Sequence, residues 1–229
     1  MTSDQQSVAQ MFDAIAAKYD RANRLLSFGN DIIWRNKLAK AVPEGALSLI
    51  DLATGTCDQL IAILKQHPTL RAVGIDFAAR MLEVGAAKLA KKGLKAELKT
   101  ASALELPYAD ASFDCATISF GIRNVGDVEK CLKEMRRVLK PDGCALILEF
   151  SLPHPLLRPF YLLYLRHILP RLGGLITHQG QAYRYLNRTI ERFPYGENFL
   201  ALMRNAGFVS AEAHPLTGGI ATLYKGVVT

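Results

Sequence analysis

A chain of 229 residues, half of them hydrophobic, can bury a substantial core and is long enough for one large α/β domain or two small ones. Its four cysteines are widely spaced with no CxxC pair, which argues against a zinc site or a disulfide framework; no metal is expected and a reduced, cytoplasmic setting fits. The net charge of +7 is uneven: residues 151–229 hold eight Lys/Arg against three Asp/Glu, so this third carries +5 of it, and a basic, apolar segment of that kind suits nucleic acid, anionic lipid or a plain solvated surface.

The first residues lack the charged start and apolar core of a secretory signal. No Pro/Gly/Ser-rich linker, repeat or low-complexity tract interrupts the chain, so one domain over 1–229 is expected. Residues 8–42 read as helices. Val8, Met11, Phe12 and Ile15 recur at helical spacing, a turn falls at Ser27–Asn30, and Ile32, Ile33, Trp34 and Leu38 form a second amphipathic run. Mostly this is core-facing helix, yet Tyr19, Asp20 and Asn23 gather polar groups that could face a pocket.

The stretch LIDLATGTCD, Leu49 to Asp58, follows as strand, tight turn and helix start. Gly55 sits where a strand must turn sharply and let its backbone approach a ligand. A dinucleotide is disfavoured: the fingerprint G-x-G-x-x-G is reduced to Gly55, Cys57 and Leu60, and Asp58 puts a carboxylate where a pyrophosphate would want positive potential. Asp58 suits a cationic ligand, and Asp76, 21 residues past Gly55 at the end of the strand LRAVGID, suits ribose hydroxyls. Ribose plus a cationic amino-acid part points to S-adenosyl-L-methionine. On the turn alone, an ordinary βα turn with two surface acids is the simpler account.

FAARMLEVGAAKLAKK then reads as a helix ending at Gly93, KAELKTAS as a third strand, and residues 115–120 as a fourth, followed by the turn GIRNVGD. VEKCLKEMRRVLK is a helix stopped by Pro141-Asp142-Gly143, and CALILEF a fifth, apolar strand. This alternation predicts a parallel sheet covered on both faces. From residue 151 the pattern breaks. Residues 153–176 are apolar and aromatic but carry four prolines and Arg158, Arg166 and Arg171, which excludes a spanning helix and leaves a lid, an interfacial segment or a plain core cap over the sheet. A helix from Glu197 to Ala206 precedes a terminal antiparallel pair joined at Thr217-Gly218-Gly219.

Taken together, MFDAIAAKYDRANRLLSFGNDIIWR, DLATGTCD, LPYADASFDCATISFGIRNV, EMRRVLKPDG, LEFSLP, YRYLNRTIERFP and AGF followed by LTGGIA resemble the menaquinone/ubiquinone biosynthesis C-methyltransferases, within the class I S-adenosylmethionine-dependent methyltransferases. The resemblance runs from about residue 10 to residue 226, and KYDRANRLLSFG, FGIRNV and LTGGIA are its most specific parts. It implies a doubly wound, mostly parallel seven-stranded sheet with an N-terminal helical cap over 1–45 and an apolar lid or substrate segment over 151–195. It places cofactor contacts on Thr56, Asp76 for the ribose, Ser102 and Ala103 near adenine, and Ser119, beside Gly55 and Asp58 of the turn. Two positions depart from the family: Cys57 stands where glycine is usual, which would narrow the pocket if it points inward, and Ser102 replaces Asn or Asp with a shorter reach.

The implied reaction is methylation of a ring carbon of a prenylated quinol, first demethylmenaquinol and second the ubiquinone-pathway benzoquinol. An electron-rich ring is best supplied by deprotonating the adjacent hydroxyl, which a neighbouring cation favours. The resemblance assigns that cation to Arg123, orientation of a ring oxygen to Asn124, and a bonding or wall-forming role to Tyr19. Arginine is a poor proton acceptor, so water or a histidine is expected to take the proton. The plainer account of Arg123 is a surface salt bridge. Transient contact with the inner face of a membrane is expected, nucleic acid is not, and a homodimer is left open. A nucleic-acid amino-methyltransferase would carry a Pro-Pro-aromatic turn after the fourth strand, and the chain has no Pro-Pro. A non-catalytic cofactor- or lipid-binding module is the other alternative.

Overall fold

The computed structural model describes residues 3–172 and 180–229. Two N-terminal helices, α1 (Ser3–Leu26) and α2 (Asn30–Ala41), precede an alternating run: β1 (Ser48–Leu52), α3 (Asp58–Gln66), β2 (Arg71–Asp76), α4 (Ala79–Lys91), β3 (Glu97–Thr100), β4 (Phe113–Ser119), α5 (Val128–Val138) and β5 (Leu139–Phe150). Next come α6 (Arg158–Leu163), which continues through a π-helical turn at Tyr164–Ile168 to residue 172, then α7 (Gly180–Arg192), α8 (Glu197–Asn205), β6 (Ser210–Leu216) and β7 (Ala221–Val227). Of the expected lid segment, residues 173–179 lie outside the described residues.

The seven strands form one sheet in the order β3-β2-β1-β4-β5-β7-β6. β1 to β5 pair in parallel, and β7 runs antiparallel to both β5 and β6. All five residues of β1 are buried, because helices cover both faces of the sheet. On one face Leu132 and Met135 of α5 pack with Phe199 and Met203 of α8. On the other, Trp34 and Leu38 of α2 pack with Leu60 and Ile63 of α3. Each such fully buried aliphatic side chain contributes about 1.5–3 kcal/mol relative to an exposed one.

α5 shows how local sequence sets an element. The Asp127 side chain accepts a hydrogen bond from Lys130 N, capping the helix, and Cys131, Leu132, Met135 and Val138 recur on its buried face. Its end corrects one expectation. Pro141-Asp142-Gly143 does not separate helix from strand; α5 stops at Val138 and the three residues lie inside β5. Pairing jumps from Phe113↔Leu139 to Cys115↔Cys144, a bulge that accommodates the missing N–H of Pro141 and the left-handed Asp142 (φ 62°). β4 correspondingly starts at Phe113, two residues earlier than expected.

The segment after β5 forms a roof. Leu165 and Leu169 are buried against Ala22 and Leu26 of α1 and Ile190 of α7, and the Tyr164 hydroxyl donates to Leu26 O at 2.7 Å. Trp34 Nε1 donates to Thr217 Oγ1 at 2.8 Å, which ties α2 to the β6–β7 turn. The roof therefore closes over the carboxyl ends of the strands, on the side where an open α/β sheet binds ligands.

Candidate active site

Strand order reverses between β1 and β4, and the crevice that opens there is built by the loops after β1, β2, β3 and β4. The first loop is unusual in its backbone: Ala53, Gly55 and Cys57 have φ of 47°, 55° and 63°. At Gly55 a glycine relieves that strain and leaves the backbone open toward the cleft. Gly121, after β4, answers a different need: a Cβ there would lie 2.6 Å from Ala53 Cβ, so the two loops approach only because it is glycine.

Asp76 joins the first two loops. One carboxylate oxygen accepts from Gly55 N and the other from Ala78 N, both at 2.8 Å. Burial raises its pKa to about 6 despite these backbone donors. Gly55, Thr56, Asp58, Asp76, Ser102, Ala103 and Ser119 all line this cleft, together with Tyr19 and Asn124. Several of their polar atoms have partners of their own. Thr56 Oγ1 donates to Asp20 Oδ1 at 2.5 Å, Ser102 Oγ accepts from Leu104 N at 3.2 Å, and Ser119 Oγ donates to Gln59 Oε1 at 3.0 Å. Asp58 is paired with Lys88 and lies 3.5 Å from Arg24. Its charge is thus met within the chain, which weakens the expectation that it serves a cationic ligand.

Cys57 does not narrow the cleft. Its side chain is fully buried, and its sulfur fills the space beside Gly85 of α4 on the far side of the turn.

Asp51, at the end of β1, is a residue that sequence reasoning passed over. Thr117 Oγ1 donates to its Oδ1 at 2.5 Å, while Oδ2 is buried with no hydrogen-bond partner in the described structure. Burial pushes its pKa up to about 6. A single acid inside the apolar run LSLIDL was the available signal.

A second, larger cleft adjoins the first; the two have about 870 and 1320 Å³ of open space and share Phe12, Tyr19, Arg35, Phe120 and Asn124. The second is walled by aromatics, including Trp34, Phe150, Tyr161 and Tyr164. Arg123 stands on its floor, in a 3₁₀ turn at Ile122–Asn124. It is no surface ion pair: its side chain is 5 % exposed, with Nη1 donating to Phe120 O at 2.7 Å and to Glu149 Oε1 at 2.5 Å. The guanidinium lies 5.2 Å over the Phe150 ring.

Glu149 is the second residue missed. It is fully buried near the end of β5, accepts from Phe150 N at 2.8 Å, and its pKa is raised because burial outweighs the attraction of Arg123. One acid in the otherwise apolar CALILEF had to have a buried partner. With Nη1 committed, Arg123 Nε remains buried without a partner, as does Asn124 Oδ1. Among the described residues no histidine lines either cleft; His178 lies outside them. No group of three or more His, Cys, Asp or Glu that could hold a metal occurs among them either.

The family model of the ubiE/COQ5 methyltransferases matches residues 1–228. The chain is 43% identical over 224 residues to the ubiquinone/menaquinone biosynthesis C-methyltransferase UbiE of Bdellovibrio bacteriovorus, covering 96% of this chain and 95% of that one. It is equally 43% identical to the demethylmenaquinone methyltransferase of Thermus thermophilus, over 94% and 99% of the two chains. Among solved structures, the [4+2]-cyclase SpnF superposes with a TM-score of 0.71 at 16% identity over 100% and 97%, and an Aquifex aeolicus SAM-dependent methyltransferase with 0.64 at 17% over 95% and 98%. These two show the fold, a mostly parallel seven-stranded sheet with an antiparallel hairpin, and the sequence matches show more: this chain belongs to the ubiE/COQ5 methyltransferase family.

Proposed function

We propose that the chain methylates a ring carbon of a prenylated quinol with S-adenosyl-L-methionine, demethylmenaquinol being the first-choice substrate and the ubiquinone-pathway benzoquinol the second. Family membership supports the reaction class. The observation that carries the site is the second cleft where it meets the first at Asn124: Arg123 Nε and Asn124 Oδ1, on consecutive residues, are both buried and unpartnered. A donor and an acceptor side by side fit a ring hydroxyl and its phenolate.

The first cleft fits the cofactor by its own chemistry: an acid already fixed at the end of β2 for a ribose, an open glycine turn, and the unpartnered Asp51 Oδ2. When bound, S-adenosyl-L-methionine supplies an electrophilic methyl group. The chain's residues do the rest. Glu149 and Phe120 O hold Arg123 Nη1, which leaves the unpartnered Nε–H of this cleft-lining residue to donate to the ring oxygen and stabilise the phenolate. Glu149 also neutralises part of the arginine's charge, so Arg123 acts chiefly as a directed donor. Asn124 orients the ring and Tyr19 walls the junction under the roof of α1, α6 and α7; the hydroxyl proton passes to water at the mouth of the second cleft, and the proton of the methylated carbon restores the hydroxyl by way of that water.

The tail would enter at the roof. Leu156, Leu157, Phe160 and Leu163 before and in α6, and Phe28 at the α1–α2 turn, are more than half exposed, and Phe28 lies 6.1 Å from Tyr164 in the cleft wall. This apolar mouth suits transient contact with a bilayer surface. Arg166 contributes less than expected, since it is paired with Glu191 at 2.5 Å. No described helix is long and apolar enough to cross a membrane.

The test is methyl incorporation from labelled S-adenosyl-L-methionine into short-tailed demethylmenaquinol and its benzoquinol counterpart. Turnover should fall from wild type to Arg123→Lys to Arg123→Ala, with cofactor binding nearly intact. Equal turnover in all three would put Arg123 outside the mechanism, and no carbon methylation of either ring would overturn the reading.

A further inference from the structure

Arg123 and Asn124 serve one oxygen of the ring, yet a 1,4-quinol has two. In a quinol methylated beside its tail, the carbon that gains the methyl and the carbon that carries the tail are neighbours, each next to its own hydroxyl. With the reacting carbon at the cleft junction and the tail leaving at the roof, the second hydroxyl falls on the roof side of the larger cleft. A wholly apolar wall there would strand it, because a buried hydroxyl without a partner is costly.

Tyr161 lies on α6, next to the exposed Phe160 of the mouth, and lines the second cleft. It packs against the roof cluster of Leu165, Leu169 and Ile190, and its backbone N donates to Leu157 O at 3.1 Å. Its hydroxyl makes no hydrogen bond among the described residues. Other polar groups of this cleft are committed: the Tyr164 hydroxyl to Leu26 O, Trp34 Nε1 to Thr217, Ser27 Oγ to Asp31 at 2.8 Å and Asn30 Nδ2 to Ser27 O at 2.9 Å. Burial pushes the Tyr161 pKa well up, with Arg123 opposing the rise and Glu149 reinforcing it. The phenol therefore stays neutral, able both to donate and to accept. It also lies within electrostatic reach of the guanidinium that serves the first oxygen.

We infer that the Tyr161 hydroxyl bonds the ring oxygen beside the tail-bearing carbon, so that the ring is held at both ends, by Arg123 and Asn124 on the floor and by Tyr161 on the roof. The inference rests on the quinol reading and deepens it, because it makes the helix that forms the mouth a part of ring recognition. Held at both ends, the ring cannot turn in its own plane, and the carbon presented to the methyl group is the one beside the oxygen that Arg123 binds.

Kinetics on the full chain test it with two compounds: the short-tailed quinol that the wild-type chain methylates, and its deoxy analogue, in which hydrogen replaces the hydroxyl beside the tail-bearing carbon. The analogue keeps the hydroxyl that Arg123 and Asn124 bind, and is measured as a competitor of quinol methylation. Tyr161→Phe keeps the ring packed in the roof and removes no hydrogen bond within the described structure. It should lower kcat/KM for the quinol by about two- to tenfold, the range of a neutral hydrogen bond, and leave the inhibition constant of the analogue as in wild type. An unchanged kcat/KM overturns the inference. So does weakening of quinol and analogue alike, which is what a damaged roof would give. An analogue that fails to compete with wild type at a hundred times the quinol KM overturns it too, since one hydrogen bond cannot cost so much. A wild-type chain that methylates neither quinol on carbon refutes the reaction reading itself, a distinct result.

Discussion

Glu149→Gln probes the buried pair that holds Arg123. The glutamate is fully buried and its partner's side chain is 5 % exposed, so removing the negative charge leaves a guanidinium in the interior without its counter-ion. Breaking a buried pair from one side costs about 3–5 kcal/mol. For a chain of this size each kcal/mol shifts the melting temperature by about 2–4 °C, which predicts a drop of roughly 6–20 °C. Gln keeps an acceptor near Arg123 Nη1 and Phe150 N, which favours the lower end. The raised pKa of Glu149 shows that burial outweighs attraction here, so the pair is expected to serve function more than stability. The double variant Arg123→Met/Glu149→Leu should therefore recover most of the lost stability and remain inactive. Thermal melts of wild type, Glu149→Gln, Arg123→Met, Glu149→Leu and the double variant, with turnover measured in parallel, make the comparison. A Glu149→Gln melt within 2 °C of wild type, or a double variant as unstable as the two singles summed, would refute this account of the pair.

Asp51 and Asp76 both have pKa values raised by burial from 3.8 to about 6, so their neutral forms are favoured and the stability they lend below pH 4 is lost as pH rises through about 6. A cofactor that bonds their ionised forms should release protons and bind more weakly below pH 6; calorimetry near pH 6 in buffers of different ionisation enthalpy would show no buffer dependence if this is wrong. Cys57→Gly should leave cofactor affinity unchanged, since the sulfur is turned toward Gly85, and a tenfold tighter complex would contradict that placement. Gly85→Ala should destabilise the wild-type chain by about 1–3 kcal/mol through overpacking on that sulfur, and be tolerated once Cys57 is glycine; additive denaturation midpoints would reject the coupling. Phe160→Glu, at a side chain 73 % exposed, should keep the fold and short-tailed turnover while lowering vesicle binding and long-tailed turnover; equal loss on both substrates would remove the tail-entry mouth.

The alternation of strands and helices was legible because each buried strand is an apolar run bounded by Gly, Asp or a change of period. The bulge of β5 was not, since Pro141-Asp142-Gly143 reads locally as a stop and only the partner strand turns it into an irregular strand. Gly55 and Asp76 pointed toward the first cleft through their spacing, although on the turn alone an ordinary βα turn was the simpler account. Arg123, Asn124 and Tyr19 needed the family resemblance, because the roof that brings α1 over the turn after β4 is a long-range arrangement. Asp51 and Glu149 were written plainly as single acids in apolar runs, yet their partners Thr117 and Arg123 lie 66 and 26 residues away. Cys57 was ambiguous until the absence of a side chain at Gly85 showed where its sulfur goes.

The most direct test of the central claim is mass spectrometry of the quinones in cells that lack the gene, restored with the wild-type chain or with Asn124→Ala, which removes the acceptor at the cleft junction. The account predicts that a naphthoquinone one methyl short accumulates without the gene, returns to its methylated form with the wild-type chain, and returns poorly with the variant. An unchanged quinone profile on deletion would contradict it.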